Sequence, residues 1–438
     1  MNGSDLLTAL PKGWRRVPLK TTADFAVSNV DKHSFDDELP VRLCNYTDVY
    51  KNDRVSPSMN LMVATATPQE IERFRLEVGD VVITKDSESW NDIAVPAYVE
   101  GTADDFVCGY HLAFIRPKKY VLDGRFLFRC LQSRPVALQL ELEATGVTRY
   151  GLPKDAIGLA VLPLPPLPTQ RRIADYLDRE TARIDSLIAE KERMLALLEE
   201  KRSALISRLV TRGLNPDTPL KPSGQEWLGD IPAHWEIQPV KYLATIGNGS
   251  TPTVDNADYW DDEGYPWLNS SVVNVSPVIG ASRFVTETAL RECHLPKIQP
   301  PAVLVGITGQ GKTRGMAAIL AIEATINQHI AFIKPRSKQL ETDYLYFLLK
   351  NAYEFLRSDS DGAGSTKGAI TCEQLANIKI PVPPGSEQIG ICNHIKQSLD
   401  GIGPLCENIA RSIDLLKERR AALITNAATG QISMEEML

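Results

Sequence analysis

The chain contains one long pattern twice. Residues 109–211 lie over 327–429 without a gap, at a constant shift of 218 positions. His111, Ala113, Phe114, Ile115 and Pro117 fall on His329, Ala331, Phe332, Ile333 and Pro335. Pro163, Pro165, Pro166, Gln170 and Ile173 fall on Pro381, Pro383, Pro384, Gln388 and Ile391. Arg202, Ala204, Leu205 and Ile206 fall on Arg420, Ala422, Leu423 and Ile424. The starts match at a shift of 221: Pro11, Trp14, Pro18 and Lys20 against Pro232, Trp235, Pro239 and Lys241. Solenoid units run about 20–50 residues. A repeat this long is a whole module used twice. Two related modules can pack about a pseudo-two-fold axis and offer two similar ends to a partner with two sites.

The bulk numbers fit this. A length of 438 residues allows two to four domains, and each copy is long enough for its own core. The 43% apolar and 24% charged content is ordinary for a soluble protein. No apolar run approaches the ~20 residues that span a bilayer. The opening MNGSDLLTALPKGW lacks the charged-then-apolar pattern of a secretory signal. The seven cysteines are scattered, with no C-x-x-C spacing. They predict reduced, mostly buried thiols in a cytoplasmic protein. Cys293 and His294 are adjacent rather than ligand-spaced, so no metal site is expected. A net charge of −7 argues against nonspecific coating of nucleic acid. It leaves room for a reader that works inside a larger complex, because binding depends on local cations.

Residues 10–145 and 231–362 read as mixed α/β. Asp80–Thr84, His111–Arg116, Ala302–Val305 and His329–Lys334 predict strands. Phe126–Leu131 and Tyr344–Leu349 predict helices. Each copy then enters a proline-rich strap, 162–170 and 380–388, expected to be extended and stiff. Thr169 and Ser386 suit helix N-caps. Gly401, Gly403 and Pro404 should break a short helix and restart a long one. The alignment places a similar restart near Thr181 to Arg183. The long helices then cover roughly 182–211 and 404–428, about 45 Å and 37 Å. Apolar stripes run along both (Ile184, Leu187, Ile188, Met194, Leu195, Leu198, Leu205, Leu209; Leu405, Ile409, Ile413, Leu416, Leu423, Ile424). The expected fold is α+β. Two tandem mixed α/β modules are separated by two long antiparallel, coiled-coil-like helices, with pseudo-two-fold symmetry. The expected bounds are module 1–168, helical region 169–212, polar linker 213–230, module 231–386 and helical region 387–438.

These elements resemble the specificity subunit of type I restriction–modification systems. LKPSGQEWLGDIPAHWEI at 220–237 is similar to that family's entry into a recognition domain, and LPKGWRRVPLK at 10–20 is its counterpart. The Pro-Pro strap followed by Gln170 or Gln388 and then Ile173 or Ile391 is similar to the entry into the family's helical regions. So are the helix ends, Lys201–Ile206 and Arg419–Ile424. The order of four matched elements, given twice, is specific and covers nearly the whole chain. The resemblance implies two target-recognition domains, each reading half of a split double-stranded DNA sequence. It implies helices that set the spacing and bind modification subunits, expected to number two. Those subunits would carry S-adenosylmethionine and methylate adenine. Restriction subunits would supply translocation and cleavage. A rod of about 40 Å would place the half-site centres on the order of 10–13 base pairs apart.

Candidate DNA-contacting residues fall in three places. Gly306–Thr313 matches G-x-x-x-x-G-K-[ST], but Met316–Leu320 just beyond it reads as a returning strand rather than a helix. A hairpin loop offering Thr308, Gln310, Lys312, Thr313 and Arg314 to DNA is the better reading. Lys85 and Ser87 occupy the same place in the first copy. The loop before the strap offers Thr148, Arg149 and Tyr150, matched by Ser365, Thr366 and Lys367. Cations and hydroxyls there suit phosphate oxygens, and Arg149 could also read guanine. Asn45, Thr47 and Asn269 suit base-edge contacts and equally suit turns. No catalytic constellation, methyltransferase motif or cofactor fingerprint is present, so a non-enzymatic subunit that binds no cofactor is expected. His111 and His329 lie in apolar strands without an evident partner and read as structural. The rival readings are a P-loop nucleotide-binding protein and a coiled-coil adaptor without DNA recognition.

Overall fold

The computed structural model describes Leu7 and residues 10–309, 311–361 and 368–437. The chain forms two compact units. The first joins Met1–Glu192 to Ala410–Leu438, and the second is Arg193–Ile409.

Each unit is built on a mainly antiparallel sheet whose central strands share one register. In the first, Leu112–Pro117 lies between Ala23–Val27 and Val81–Thr84, with Pro96–Val99 and Arg54–Val55 beyond. In the second, Ile330–Pro335 lies between Ala244–Asn248 and Ala302–Gly306, with Ala317–Leu320 beyond. Ala113 faces Ile83 as Ala331 faces Val305. The central strands are buried along their length, VVIT in one unit and AVLVG in the other. Such apolar runs are what a sheet covered on both faces requires. The helices Gly124–Gln132 and Thr342–Asn351 cover one face with Phe126, Leu127 and Leu131, and with Tyr344, Leu345 and Leu348. A second small sheet covers the other: Met62–Ala66, Leu39–Cys44 and Phe106–Cys108 in the first unit. In the second unit it contains Trp260–Asp261, Arg283–Val285, Tyr265–Leu268 and Thr325–Ile326. The cysteines are free. Burial pushes the Cys44, Cys108 and Cys130 thiols well up.

The straps differ from the extended rods expected. Their first halves are strands: Val161–Leu164 pairs with Arg15–Pro18, and Lys379–Val382 with Glu236–Pro239. The matched N-terminal and strap prolines are thus two sides of one ladder. Helix begins earlier than Thr169 and Ser386 would cap it, at Leu167 and Gly385. Pro168 fits there because a first-turn residue has no helical acceptor for an N–H.

The expected restart near Thr181 to Arg183 is absent. Leu167–Arg212 is one helix of 46 residues. The second copy does break, at Gly401, between Gly385–Asp400 and Ile402–Ala428. Only the second copy carries glycine and proline at the junction, so only there is continuation disfavoured. The first long helix supplies its start to the first unit and its end, from Arg193, to the second. Ile206, Leu209 and Val210 therefore lie in the second unit's core, with Trp235 and Tyr344. Ile424, Ala427 and Ala428 of the last helix lie in the first unit's core, with Phe126 and Ile173. Each ends on glycine at positive φ, Gly213 at +73° and Gly430 at +74°. A Cβ at either would also meet a tryptophan ring, Trp235 or Trp14, within 3.2 Å. That closeness explains the matched tryptophans. The stripe is not buried throughout, since Leu187 and Met194 are 40% and 44% exposed.

The stretch 213–230, expected as a polar linker, carries structure of its own. Leu220–Pro222 pairs with Asp230–Pro232, Leu228 is buried, and the Trp227 ring stacks on Phe355 at 5.4 Å.

Candidate nucleic-acid interface

In both units the chain leaving the central strand enters a loop held by the same frame. The Lys85 N–H donates to the His111 carbonyl at 2.8 Å, and the Ile307 N–H to the His329 carbonyl at 2.9 Å. The Leu152 N–H donates to the Lys85 carbonyl at 2.8 Å, and the Ile370 N–H to the Ile307 carbonyl at 2.8 Å. Gly151 pairs with Asp86, and Ala369 with Thr308. Asp86 and Thr308 therefore occupy one structural position. Each meets the matched histidine. His111 Nδ1 lies 2.5 Å from the Asp86 carboxylate, and His329 Nδ1 lies 2.7 Å from the Thr308 hydroxyl.

This overturns the reading of the histidines as partnerless strand residues. His111 precedes its strand, at φ +71°, and its imidazole reaches the loop. Its Nδ1 donates to Asp86, so it cannot also accept from the Arg149 guanidinium 3.4 Å away. Arg149 is a neighbour rather than a partner. Burial raises the Asp86 pKa, but hydrogen bonds from His111 and Lys85 outweigh it and hold the carboxyl below its ordinary value. Lys85 Nζ lies 3.2 Å from Asp86.

Thr148 and Arg149 are exposed at the tip of a hairpin, where Gly146 pairs with Tyr150 and Tyr150 with Ser87. Tyr46 lies beside Ser87, and stacks on Tyr50 at 5.5 Å. The Tyr50 hydroxyl donates to Asp92 at 2.7 Å. Tyr110 packs on His111, ring centres 4.0 Å apart. The first candidate interface is thus a rim of exposed (Tyr50, Tyr110) and half-buried (Tyr46, Tyr150) aromatic side chains around a mixed-charge floor. Aromatic faces and paired donors and acceptors suit base edges, while Arg149 suits a phosphate or guanine.

In the second unit the loop joins Val305 to Ala317 across a ladder, with the Gly306 N–H donating to the Met316 carbonyl at 2.9 Å. Lys312 is exposed and Thr313 half-buried. Tyr353 Oη donates to the Lys312 carbonyl at 2.9 Å and Arg357 Nη1 to the Gly311 carbonyl at 2.7 Å, which fixes the loop from behind. No helix begins at Lys312, so its N–H groups cannot cradle a nucleotide phosphate as a P-loop does.

Other candidates are placed differently from the expectation of exposed contacts. Arg314 is 4% exposed and Ser87 8%, so neither side chain is presented to a duplex. Asn45 and Asn269 open short helical turns, and Asn269 Oδ1 accepts from the Ser271 N–H at 3.0 Å. Turn chemistry accounts for both. Thr47 is exposed just beyond Asn45. Gln310, Ser365, Thr366 and Lys367 lie outside the described residues. Asp86, Tyr46, Tyr110 and the two histidines were missed. The matched histidines were the available signal, but their partners follow from strand register rather than from sequence spacing.

Residues 45–195 and 232–402 match the family model of the type I restriction modification DNA specificity domain. The putative type I restriction enzyme MjaX specificity subunit of Methanocaldococcus jannaschii is 23% identical over 378 residues, 84% of this chain and 81% of that protein. The type I restriction enzyme EcoKI specificity subunit of Escherichia coli (strain K12) is 20% identical over 449 residues, 97% of this chain and 90% of that protein. Among solved structures, the HsdS subunit from Thermoanaerobacter tengcongensis is similar with a TM-score of 0.52 at 19% identity, covering 97% of this chain and 98% of that one. A chain from work on assembly and conformational transition of the type I R-M system gives a TM-score of 0.70 at 19% identity, covering 97% and 100%. The two matched stretches cover most of the residues, and the chain belongs to the type I restriction–modification DNA specificity family, with two recognition domains.

Proposed function

We propose that each recognition domain reads one half of a bipartite, asymmetric double-stranded DNA target. One observation carries this reading: a common frame, repeated in both units, presents unlike loops. Asp86 stands beside His111 where Thr308 stands beside His329. A carboxylate accepts from a base amino group, whereas a hydroxyl both donates and accepts, so the two loops favour different bases. Lys312, Arg149 and Thr148 are the exposed side chains best suited to phosphate or guanine.

On this reading the chain is non-catalytic. The long helices run antiparallel, set the distance between the readers and bind two modification subunits, which carry S-adenosylmethionine. Restriction subunits join the same cytoplasmic complex. The exposed Leu187, Met194 and Leu197 on the first long helix give such a partner apolar area to cover. Among the described residues no helix is long and apolar enough to cross a membrane. The test is methylome sequencing of cells carrying this chain with its modification partner. One gapped, asymmetric methyladenine motif is expected, and an ungapped palindrome would overturn the proposal.

A further inference from the structure

The two units share a pocket but not its charge. In the first unit Arg420 is neutralised twice, by Asp53 and by Asp185, the latter at 2.8 Å. The matched arginine in the second unit is Arg202. Neither acid is retained there. At the same shift, Asp185 falls on Gly403. The parallel pairing that sets Val55 beside Val99 sets Val278 beside Leu320, and counting back two residues aligns Ser276 with Asp53, the Ser276 hydroxyl accepting from the Ile319 N–H at 3.1 Å. Gln132, which lines the first pocket, is replaced by Lys350. The first pocket encloses about 340 Å³ and the second about 740 Å³.

Two cations thus face a larger space with little to neutralise them. Arg202 Nε and Arg420 Nε are both buried without a hydrogen-bond partner, but Arg420 Nε has the Asp185 carboxylate 2.8 Å away, whereas the carboxylate nearest Arg202 is Glu199, at Nη1. Burial lowers the Lys350 pKa and neighbouring Arg202 lowers it further, with Glu199 opposing. Glu199 touches Arg202 Nη1 at 3.6 Å, but its side chain is 59% exposed and it cannot satisfy both cations. Lys312 and exposed Glu354 complete the rim. A guanidinium and an ammonium left together at a half-dry site favour a small oxyanion, which supplies the acceptors the first unit obtains from its own carboxylates.

We propose that the pocket lined by Arg202, Ser203, Ser276 and Lys350 binds a phosphate group, either free or on a nucleic-acid backbone. The site is independent of which bases the loops read. The test uses the full chain at constant ionic strength, with inorganic phosphate as the probe and ³¹P line broadening as the readout. Saturable broadening is expected. Lys350→Met should weaken it at least tenfold. Ser276→Asp restores the acid that the first unit has, and should weaken it equally without lowering the melting temperature, which separates loss of the site from misfolding. Lys51→Met, in the first unit's pocket, should leave binding unchanged. Absence of saturable broadening in the unaltered chain, or unchanged binding in Ser276→Asp, would overturn the proposal. Release of bound phosphate by a saturating short duplex assigns the site to a DNA backbone phosphate. Retention beside the duplex assigns it to a free one, and both results uphold it.

Discussion

Gln170 and Gln388 show how much a matched pair can encode. Both are fully buried. The Gln170 Oε1 accepts from the Asp123 N–H at 2.8 Å, and its Nε2 donates to the Val121 and Pro165 carbonyls at 3.0 and 2.9 Å. Gln388 repeats this with the Glu341 N–H and the Gln339 and Pro383 carbonyls, all at 2.8 Å. One amide therefore ties the strap, the start of the long helix and the cap of the sheet-covering helix. Leucine has nearly the same volume and none of these bonds. Gln170→Leu would strand one buried N–H and two carbonyls, so it should destabilise the first unit by about 2–4 kcal/mol in urea melts. An unchanged midpoint would mean that water replaces the amide. The sequence already displayed this pair as a repeat, but burial and the three backbone partners become visible only in three dimensions. The histidines were harder still, since a matched His beside an apolar run also fits a core residue.

At the scale of elements, the first long helix is held to its unit by ions rather than by its apolar stripe alone. Arg129, 2% exposed, donates to Asp178 at 2.8 Å and to Thr181 at 2.9 Å. Asp178 also pairs with Arg54 at 3.1 Å and with Arg125 at 3.5 Å. Burial lowers the Arg129 pKa, and Asp178 and Asp53 oppose the shift. Removing Asp178 would leave a guanidinium buried without its nearest counter-ion. Asp178→Ala should therefore cost about 3–5 kcal/mol. Arg129→Phe, which copies Phe347 at the matched position, leaves Asp178 its two other arginines and should cost less than half as much. Equal costs in thermal melts would refute this asymmetry. The two helical stripes were legible from 3.6-residue periodicity, four sheet strands from their β-rich runs, and the break at Gly401 from its glycines and proline, but the strap strands were not. The continuity of the first helix was not. The alignment carried the break across from the second copy, although the first copy has no glycine there.

At the scale of the molecule, the order of the chain and the composition of its units disagree, and this had no sequence signal. The helix ends Arg202–Ile206 and Arg420–Ile424 match each other, so either end could satisfy either module's apolar surface. Periodicity reports that a face must be covered and is silent about which copy covers it. The structure places residues 410–438 with the first unit. Ile424, Ala427, Ala428 and Met437 are buried there, and the Arg134 N–H donates to the Thr425 hydroxyl at 3.1 Å. A fragment ending at Glu192 therefore lacks part of its own core, whereas Arg193–Ile409 is contiguous and should fold alone. Fragment 1–192 is expected to expose apolar surface, bind a hydrophobic dye and melt without cooperativity. Adding peptide 410–438 in trans should restore a cooperative transition whose midpoint rises with peptide concentration, because a ligand specific for the folded state stabilises by mass action. The same peptide with Ile424→Asp should fail, since it would bury an unpaired carboxylate. If fragment 1–192 melts identically with and without the peptide, the C-terminal helix is dispensable to the first unit. The two recognition domains would then each be complete before the chain's last helix is made.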